Sequence, residues 1–571
     1  MDKRKLLKVA RGIELADIVI KNAKIINVFT KDIDEGNLAI SQGIIVGIGD
    51  YKGKVEYDYT GYYLAPGFID GHVHIESSML VPNNYALAVM PRGTTSVVAD
   101  CHEIANVCGL AGIDYMLKTA LKAPLDVFMM IPSCVPSTKF ETSGATLNAK
   151  MIKKYLDNEK VLGLGEMMDY PGTINGDEEV LAKIETFKNK TIDGHAPNVV
   201  DKDLNAYVLS GVETDHECTT PLELIEKVKR GMYIHLREGS QTKNVSDLLP
   251  GLNQKYYSRI LFCSDDLHPS DIKKIGHIDN NINIAIKNGI EPIEAISMAT
   301  INIANCYNLK NVGAISPGRK ADFVLFKSLK EIDIDVVYKD GIKVAENKLP
   351  NFKTENVVES LVMDTVKIKY QRKDLEFPLS SNRVNVIGLI KNNVTTTKLV
   401  ETVVLDNGCF YPKDNTDLLK LCVIERHFKS GNIGKAIVNG YGLKNASLAM
   451  TISHDSHNLI CIGDNDFDMD KAINKISEIG GGIVLVSNAK VLEFLPLEVG
   501  GLMSLNTLDY VEKKLLNLEQ LLRNLGVNIE IEDPILQLAF LSLAVIPDLK
   551  VTDQGLFDVK KFQIIPLEAS V

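Results

Sequence analysis

The 571-residue sequence contains no tryptophan, no CxxC pair and no long apolar run. The missing tryptophan excludes nothing about function. The nine cysteines are odd in number and lie far apart, which is typical of reduced thiols in a cytoplasm and not of a disulfide framework. No window approaches the roughly 18 apolar residues of a membrane span, and charges interrupt the N-terminal apolar stretches before a signal-peptide core forms. We therefore expect a cytoplasmic protein that makes no membrane contact.

A concentrated basic surface is also lacking. The 63 Lys and Arg residues are fewer than the 74 Asp and Glu residues, so the formal net charge is −11, and the basic residues are scattered along the chain. This distribution predicts no nucleic-acid surface. With 24% charged and 45% hydrophobic residues, the composition is typical of globular proteins and excludes disordered, collagen-like and coiled-coil chains. The length predicts about three or four domains, or one large barrel with additions.

Two β-rich segments bracket the middle of the chain. Residues 17–64 have the pattern of short strands, with β-branched and aromatic residues separated by Gly and Asp turns and no evident helix. A similar pattern returns after residue 311, in VGAISPGRKADFVLF and DIDVVYKDGIKVAE. We expect residues 1–64 and 311–365 to pair into one small β-sandwich.

Residues 65–310 alternate short apolar strands with longer helical patterns, which is typical of a parallel sheet. Eight strands are predicted, the number and spacing of a (β/α)8 barrel; they are FIDGHVHI, TTSVVADCHE, DVFMMIPSC, VLGLGEMMD, TIDGHAP, TDHECT, YIHLREG and ILFCSDD. Helices are predicted at AKMIKKYLDNEKV, PLELIEKVKRGM and EPIEAISMATINIANCY. Mixed patterns over residues 366–571, including the amphipathic VEKKLLNLEQLLRNLG, predict a separate lobe. The predicted fold class is α/β: a (β/α)8 barrel, a bracketing small β-sandwich and an additional C-terminal α/β domain.

Histidines concentrate in the predicted barrel, most of them at or just beyond the C-terminal ends of strands. In barrels of this kind that edge carries the active site. His72 and His74 alternate with Val73, so both imidazoles point to one face of a strand, as two ligands of one metal ion require. Taken alone, this HxH pair is equally consistent with packed or solvated side chains.

Four further residues end predicted strands: Glu166 in GLGEMM, His195 in TIDGH, His216 in TDHE and Asp265 in LFCSDD. Converging imidazoles and carboxylates suit divalent zinc, manganese or iron, and six such ligands can hold two ions. Each residue singly also fits a satisfied hydrogen bond or, for SDD, a helix cap; their ordered recurrence favours the metal site. HEIAN lacks the second His of a helix-borne HExxH site, and the His-x-Glu…Pro-Cys-x-x-Cys signature of small zinc deaminases is absent.

Several stretches carry a resemblance to a known family. LAPGFIDGHVHIESSM at 64–79 and GRKADFVLF at 318–326 resemble the amidohydrolase superfamily, and the ESSM, HLREGS and HDSHN segments resemble the bacterial adenine deaminases within it. CHEIANV, GLGEMMD, DGHAP, TDHE, FCSDD, VIERH, GNIG and PLEVGGLMS extend the resemblance over nearly the whole chain. It implies a metal-dependent hydrolase that converts adenine and water to hypoxanthine and ammonia in purine salvage or catabolism.

The resemblance also implies a role for each predicted ligand. His72 and His74 bind one ion, while His195 and His216 bind the other. Asp265 is the carboxylate of strand eight. Many superfamily members place a carboxylated lysine at the end of strand four, but GLGEMM offers Glu166 there. This departure disfavours a hydantoinase-like interpretation and makes Glu166 the expected bridging ligand.

The expected chemistry is hydrolytic. A divalent metal lowers the pKa of bound water from 15.7 towards roughly 7, so the expected nucleophile is a metal-bound hydroxide that attacks C6 of adenine. Asp265 can accept its proton and pass it to the departing amine. Protonation of the purine N1 needs an acid. Glu238 in HLREGS is the candidate, although we expect it to be an exposed loop carboxylate that is little protonated at neutral pH.

Six residues are predicted to bind or orient the substrate: His102, Glu103, His235, Arg237, His454 and His457. His102 and Glu103 follow strand two, where they orient substrate, support the metal ligands from behind or make structural hydrogen bonds. His235 and Arg237 point at the barrel mouth and bind the purine edge, unless Arg237 simply pairs with Glu238. The residues of HDSHN alone favour a solvated turn. With the resemblance, we expect a loop that ligates metal or closes over the barrel mouth.

Two other functions stay open. The same metals acting on a different electrophile would give a cyclic imidase or an N-acetyl-sugar deacetylase, against which the ESSM and HLREGS segments argue. A scaffold without catalytic activity would have no reason to keep six ligand candidates. The resemblance favours manganese or iron over zinc, a small-molecule substrate and a homodimer.

Overall fold

The computed structural model describes residues 2–412 and 417–569. Within these ranges, no helix is both long and apolar enough to cross a membrane.

The N-terminal segment is mostly strand, as predicted. It opens with the helix α1 (Lys3–Ala10), whose first turn is capped by the Asp2 carboxylate. Seven strands follow: β1 (Ala16–Lys21), β2 (Lys24–Asn27), β3 (Asp32–Asp34), β4 (Asn37–Ser41), β5 (Ile44–Gly49), β6 (Gly53–Asp58) and β7 (Tyr63–Pro66). Four of them form a sheet in the order β5-β4-β1-β6.

Eight strands of the middle segment run parallel in chain order. They are β8 (Phe68–Val73), β9 (Thr94–Asp100), β10 (Asp126–Ile131), β11 (Val161–Met167), β12 (Thr191–Gly194), β13 (Thr214–Asp215), β14 (Tyr233–Arg237) and β15 (Ile260–Cys263). Strands β8 to β12 form one parallel sheet and β13 to β15 form a second. A parallel bridge between Val73 and Asp265 joins the end of β8 to the residues just beyond β15. The fold of this segment is a TIM-barrel-like α/β arrangement, and each of the eight predicted strands is present.

Thirteen helices accompany these strands within the described residues. They are α2 (Pro82–Val89), α3 (His102–Cys108), α4 (Leu110–Ala120), α5 (Ala149–Ile152), α6 (Tyr170–Asn175), α7 (Glu178–Phe187), α8 (Asp201–Leu209), α9 (Pro221–Lys229), α10 (Val245–Leu248), α11 (Pro269–Lys274), α12 (Ile278–Lys287), α13 (Pro292–Met298) and α14 (Ile301–Cys306).

Two predicted helices differ from the structure. The helix predicted over 149–161 is the single α-helical turn α5, followed by a 3-10 turn at Lys153–Tyr155. Asn158 then accepts a hydrogen bond from the backbone N–H of Lys160 in a turn that leads into β11. The helix predicted over 291–307 is broken between α13 and α14. There the Thr300 hydroxyl donates to the Ile296 carbonyl, a local bond that competes with the helical backbone pattern.

The two bracketing segments share a sheet. After the barrel the chain adds β16 (Phe323–Phe326), β17 (Ile334–Lys339), β18 (Ile342–Glu346) and β19 (Leu349–Pro350). These join a seven-stranded sheet in the order β19-β18-β17-β16-β7-β2-β3, in which β16 pairs antiparallel with β7. Side chains from both segments, including Ile20, Leu64 and Phe323, pack in one buried apolar cluster. The predicted domain boundaries stay predictions.

In the predicted C-terminal lobe, the described residues between 366 and 569 are built on one large sheet. Its strands are β20 (Arg383–Leu389), β21 (Thr396–Thr402), β22 (Leu405–Asp406), β23 (Cys409–Phe410), β24 (Leu418–Ile424), β25 (Ile433–Asn439), β26 (Ala446–Met450), β27 (Leu459–Gly463), β28 (Gly482–Ser487), β29 (Lys490–Pro496), β30 (Leu549–Thr552), β31 (Gly555–Asp558) and β32 (Gln563–Ile565). Its helices are α15 (Asp466–Ile479), α16 (Leu508–Asn524) and α17 (Pro534–Ala539). Eight strands pair in the order β21-β20-β25-β24-β27-β26-β28-β29, and the apolar face of α15 packs on them.

The lobe lies against the barrel mouth. One buried apolar cluster runs through both parts of the chain. The ESSM segment takes part in this contact, because the Met79 carbonyl accepts a 2.8 Å hydrogen bond from the backbone N–H of Ser504. A second contact joins the Thr142 hydroxyl to the Asp553 carboxylate at 2.6 Å. The fold thus places lobe residues over the ends of the barrel strands.

Candidate metal centre and active site

The structure brings the six predicted metal ligands together at the C-terminal ends of the barrel strands. We call this group the donor set; it consists of His72, His74, Glu166, His195, His216 and Asp265. His195 is half-buried and the other five are buried, with no more than 4% of the residue surface exposed. Ligand atoms of overlapping triplets from this group lie within 4.8 Å of one another.

The Glu166 carboxylate divides the donor set into two halves. Its Oε1 lies 3.3 Å from His74 Nε2 and 4.0 Å from His72 Nε2. Its Oε2 lies 2.7 Å from His195 Nδ1 and 3.2 Å from His216 Nε2. A carboxylate whose two oxygens face two pairs of imidazoles has the arrangement of a bridging ligand.

The hydrogen-bonding pattern of His74 shows that these residues fit a cation. His74 Nδ1 lies 3.1 Å from the Asp100 carbonyl, which only accepts, so Nδ1 carries the ring hydrogen and Nε2 presents a lone pair in the neutral ring. Nε2 faces the carboxylate oxygens of Glu166 and Asp265 at 3.3 and 3.4 Å. Lone pairs directed at one another repel unless a positive charge lies among them. A buried site of imidazoles and carboxylates is the environment that divalent transition metals select.

Neighbouring residues fix the direction of the Glu166 side chain. The backbone N–H of Glu166 donates a 2.9 Å hydrogen bond to Oδ2 of Asp100, which ends β9. A Cβ atom at Gly165 would collide with the Asp100 carboxylate, so glycine is required at that position. This close approach accounts for the second glycine of GLGEMM.

A buried lysine fixes the strand ends that carry His195 and His216. Lys227 in α9 donates from Nζ to the Ala196 carbonyl at 2.7 Å and to Asp215 Oδ2 at 2.9 Å. These partners directly follow His195 and directly precede His216 in the chain. Burial alone would lower the pKa of Lys227, but the carboxylates of Asp215 and its other neighbours raise it above the usual range.

Asp265 is held from two sides. Its backbone N–H donates to the His72 carbonyl at 3.0 Å, and its φ of 57° turns the chain sharply beyond β15. Its Oδ2 accepts a 2.8 Å hydrogen bond from Arg237, which also pairs with both carboxylate oxygens of Glu217 at 2.5 and 3.0 Å. Burial alone would raise the pKa of Asp265, but the Arg237 guanidinium and the nearby imidazoles hold it well below its usual range.

A cavity of about 80 Å³ opens over the donor set, and its two sides come from different parts of the chain. The barrel wall is polar and consists of His74, His102, Glu103, Glu166, Met168, His195, His216, Glu217, Arg237, Thr242, Asp265 and Asp266. The lobe wall is mostly apolar and consists of Val394, His454, Asp455, Phe540, Leu543, Val545 and Ile546. The cavity therefore has a charged barrel wall and a mostly apolar lobe wall.

A buried lysine joins two segments of the lobe wall from behind. Lys550 in β30 donates from Nζ to the carbonyls of Val394 and Phe540, at 2.6 and 2.9 Å. It has no exposed surface, and burial lowers the pKa of its ammonium to about 7. Two separate segments of the lobe wall are thus tied to one side chain.

Four predicted site residues, His72, His235, Glu238 and His457, lie outside the cavity lining. His235 is buried in the barrel interior, where Nε2 lies 3.2 Å from the Tyr307 hydroxyl, and a Cβ atom at Gly71 would come within 2.8 Å of its ring. Glu238 accepts a 3.0 Å hydrogen bond from the backbone N–H of Val245. The expectation that Glu238 is exposed was wrong: only 8% of its surface is accessible, and burial raises its pKa to about 7. Arg237 pairs with Glu217 and Asp265 and not with Glu238.

The HDSHN segment is buried, so the interpretation as a solvated turn was wrong. His454, Asp455 and His457 each expose no more than 4% of their surface. Both imidazoles contact the Glu103 carboxylate at the start of α3: His454 Nδ1 lies 2.9 Å from Oε1, and His457 Nε2 contacts Oε2. His102, one residue earlier, places Nδ1 3.4 Å from Glu166 Oε1.

Sequence reasoning missed several residues of both walls. Glu217 stands in the TDHE segment directly after a predicted ligand, and Asp266 directly after Asp265, so adjacency to a strand end was the available signal. Thr242 donates from its hydroxyl to Asp265 Oδ2 at 3.3 Å, but nothing in its local sequence indicates this. Phe540 and the other apolar residues of the lobe wall carry no sequence signature of a site.

The chain matches two family models. Residues 63–358 match the Amidohydrolase family, and residues 393–563 match the Adenine deaminase C-terminal domain. The first match spans the barrel strands with the donor set, and the second spans all seven residues of the lobe wall. The chain is therefore built as a member of the amidohydrolase family, which implies a divalent metal.

Relatives that match over their full length show to which group within the amidohydrolase family the chain belongs. The chain is 48% identical over 562 residues to adenine deaminase of Clostridium acetobutylicum, covering 97% of this chain and 98% of that protein. It is 46% identical over 563 residues to adenine deaminase 2 of Carboxydothermus hydrogenoformans, covering 98% and 99%. It is 45% identical over 574 residues to adenine deaminase 2 of Desulfotalea psychrophila, covering 99% of each. The chain belongs to the adenine deaminase family.

Proposed function

We propose that this protein is a divalent-metal-dependent hydrolase that converts adenine and water to hypoxanthine and ammonia. The observation that carries the proposal is the position of the Glu166 carboxylate between two pairs of imidazoles, directly beneath a cavity whose lobe wall is mostly apolar. The full-length similarity to adenine deaminases supports adenine as the substrate.

The donor set is suited to two ions. His72 and His74 would hold one ion, His195 and His216 would hold the other, Glu166 would bridge them, and Asp265 would complete the set. Imidazole and carboxylate ligands suit manganese, iron and zinc. The family resemblance favours manganese or iron over zinc. When bound, a divalent metal lowers the pKa of a water ligand from 15.7 towards about 7 and so supplies a nucleophile at neutral pH.

Asp265 moves the proton in the proposed reaction. As the water oxygen bonds to C6 of adenine and the C6–N bond breaks, Asp265 accepts one water proton and delivers it to the departing amine, which leaves as ammonia. The second water proton ends on N1, which gives hypoxanthine. Arg237 holds Oδ2 of Asp265 at 2.8 Å, which leaves Oδ1 directed at the donor set. Glu217 in turn fixes both terminal nitrogens of Arg237.

The remaining predicted site residues divide into two groups. His102, Glu103, Arg237 and His454 line the cavity and are proposed to contact or orient the purine. His235, Glu238 and His457 lie outside the described lining and are proposed to support the site from behind. For Glu238 this replaces direct protonation of N1, because Glu238 does not line the cavity and its Oε1 accepts a hydrogen bond from the backbone N–H of Val245.

Ammonia release tests this proposal directly. The purified protein, loaded with Mn²⁺ or Fe²⁺, should release ammonia from adenine and should lose that activity when a chelator removes the metal. Cyclic imides and N-acetyl sugars serve as control substrates. Turnover of a control substrate without turnover of adenine would establish a different amidohydrolase, and the absence of bound metal would favour a scaffold. Gel filtration of the same sample tests the proposed homodimer.

A further inference from the structure

A carboxylate of the barrel lies between two imidazoles of the lobe. Glu103 stands in the first turn of α3, and His454 and His457 come from the HDSHN segment between β26 and β27. The three side chains are buried, and both carboxylate oxygens of Glu103 are used, one for each imidazole. We call these three residues the seam triad.

The seam triad satisfies the distance criterion for a third metal site, but its hydrogen bonds exclude one. The backbone N–H of Ser453 donates to His457 Nδ1 at 3.2 Å, so Nδ1 carries no hydrogen. In the neutral ring the hydrogen is then on Nε2, which donates it to Glu103 Oε2 and has no lone pair for a metal. Burial lowers the pKa of His457 well below its usual value, in agreement with a neutral ring.

His454 is the member of the seam triad that faces the cavity. Its Nδ1 donates to Glu103 Oε1 at 2.9 Å, because a carboxylate only accepts. Its ring stacks on Phe540, with centroids 4.5 Å apart and an angle of 13° between the planes. Its Nε2 makes no hydrogen bond among the residues that the structure describes, while the side chain lines the cavity. The ring is therefore fixed by one nitrogen and one face, and the other nitrogen is free for a ligand.

We propose that His454 donates a hydrogen bond from Nε2 to a ring nitrogen of the purine, and that Glu103 and His457 are positioning residues that orient this donor. This inference rests on the proposed function, since it takes a purine base as the ligand. Purine ring nitrogens with free lone pairs accept hydrogen bonds, and a buried donor that meets such an acceptor discriminates against ligands that lack it.

The charges around His454 support a donor at Nε2. Burial alone would lower the pKa of His454, but the Glu103 carboxylate raises it to about 9, with further contributions from Asp266 and Asp455. These three acids face the ring from the barrel and from its own segment, and the imidazoles of His457 and His102 contact the same Glu103 carboxylate. At neutral pH both ring nitrogens then carry hydrogen, so Nε2 donates and does not accept.

Two substitutions at position 454 separate the two nitrogens. The side-chain amide of Asn reaches the place of Nδ1, and that of Gln reaches the place of Nε2. We expect His454→Asn to keep the contact with Glu103 and to lower kcat/KM for adenine by about tenfold or more, the order expected for the loss of a hydrogen bond from a charged donor. We expect His454→Gln to retain a higher kcat/KM than His454→Asn. Equal values for wild type and His454→Asn would overturn the proposal.

Two substitutions at position 457 test positioning. His457→Leu removes the donor to Glu103, whereas the amide of His457→Gln can replace it. We expect lower kcat/KM in His457→Leu and rescue in His457→Gln, with unchanged metal content in both. Glu103→Gln removes the charge that favours the His454 cation, so the loss of kcat/KM at alkaline pH should begin at a lower pH than in wild type. Failure of both the rescue and the pH shift would assign the seam triad to folding alone.

His268→Gln is the matched control. The buried imidazole of His268 in the barrel pairs with the half-buried carboxylate of Asp533 in the lobe at 2.8 Å. Both residues belong to the same seam but lie outside the cavity lining. This variant should keep wild-type kcat/KM, and a loss equal to that of His454→Asn would show that any seam contact suffices. If wild type releases no ammonia from adenine, the proposed function fails. Calorimetric binding of hypoxanthine then decides the inference: weaker binding by His454→Asn than by wild type supports it, and equal binding overturns it.

Discussion

The barrel wall and the lobe wall of the cavity differ in both chemistry and origin. The barrel wall carries five of the six members of the donor set. Its side chains come from strand ends, from the loops that follow them or, for His102 and Glu103, from the first turn of α3. The lobe wall is apolar except for His454 and Asp455, and it comes from irregular segments between strands. Strand ends fix polar side chains by backbone pairing, whereas the lobe wall is fixed by packing and by the hydrogen bonds of Lys550 Nζ.

This contrast separates two tasks. Charged groups that bind metal and move protons need directions set within small tolerances, which the parallel strands of a barrel provide. Recognition of a flat heteroaromatic base needs an apolar surface and a few directed hydrogen bonds. The lobe supplies such a surface together with one directed imidazole, His454. Substitutions in the barrel wall should therefore affect metal content or kcat, and those in the lobe wall should affect KM or docking.

The largest effect is expected for Glu166→Ala. Because this carboxylate faces both pairs of imidazoles, its loss should lower metal content and reduce kcat by more than the roughly 10⁴-fold that removal of a proton-transfer group alone can cause. Elemental analysis after gel filtration, together with ammonia release, checks the result. Full metal content with measurable turnover would show that Glu166 does not bridge two ions, and that the other members of the donor set suffice to bind the metal.

Asp265→Asn should have the next largest effect. Asn keeps the shape and one coordinating oxygen but accepts no proton, so kcat should fall by about 10² to 10⁴ while most of the metal stays bound. The matched control is Asp271→Asn in α11, an acid of the same barrel that lies outside the cavity lining. Near wild-type turnover in Asp265→Asn would remove the proton-transfer role from the barrel wall.

The docking of the lobe should depend on pH through His454. Its pKa in the folded protein is about 9, above the ordinary value of about 6.5, so its stabilising effect is fully present below about pH 6.5 and is lost as pH rises through about 9. We expect the Tm of wild type to fall over this range by a few degrees more than that of His454→Phe. Parallel Tm curves for the two proteins would show that the imidazole charge does not stabilise the contact between the walls.

The smallest effect is expected for Phe540→Leu in the lobe wall. This change removes an aromatic face but keeps apolar bulk, and aromatic contacts contribute about 0.5–1.5 kcal/mol beyond burial, so KM for adenine should rise by about two- to twelvefold at constant metal content. Phe428→Leu is the control, since Phe428 is also in the lobe but 63% exposed and outside the cavity lining. A change in kcat with constant KM would contradict the expectation that the lobe wall affects substrate binding and not the chemical step.

The barrel and its donor set could be predicted from sequence because both have short-range signatures. Each strand is an apolar run that ends in a chemically distinctive residue, as in FIDGHVH and LFCSDD, and parallel strands bring such ends to one edge. The hydrophobic periodicity did not predict where each helix ends. The break between α13 and α14, for example, depends on the hydrogen bond of the Thr300 hydroxyl. His235 satisfied the same pattern as the ligands, but it points into the barrel interior, a difference of depth that the alternation of strand residues does not reveal.

The lobe wall could not be predicted because its signals are not local. Val394, Leu543 and Ile546 resemble any core residues, and they become part of a site only because the lobe docks on the barrel. The acid partner of HDSHN is Glu103, more than 350 residues away, so its two imidazoles looked like a solvated turn. The burial of Glu238 likewise depends on the fold of its loop against Val245, and not on its own segment.

The order of the two walls along the chain has a consequence for biosynthesis. All six members of the donor set lie between residues 72 and 265, and all seven residues of the lobe wall lie between 394 and 546. The ribosome therefore completes the ligands well before it makes the first residue of the lobe wall. A nascent chain possesses every proposed metal donor while the mouth above them is still uncovered, and the last third of the chain closes the site that the first half has prepared.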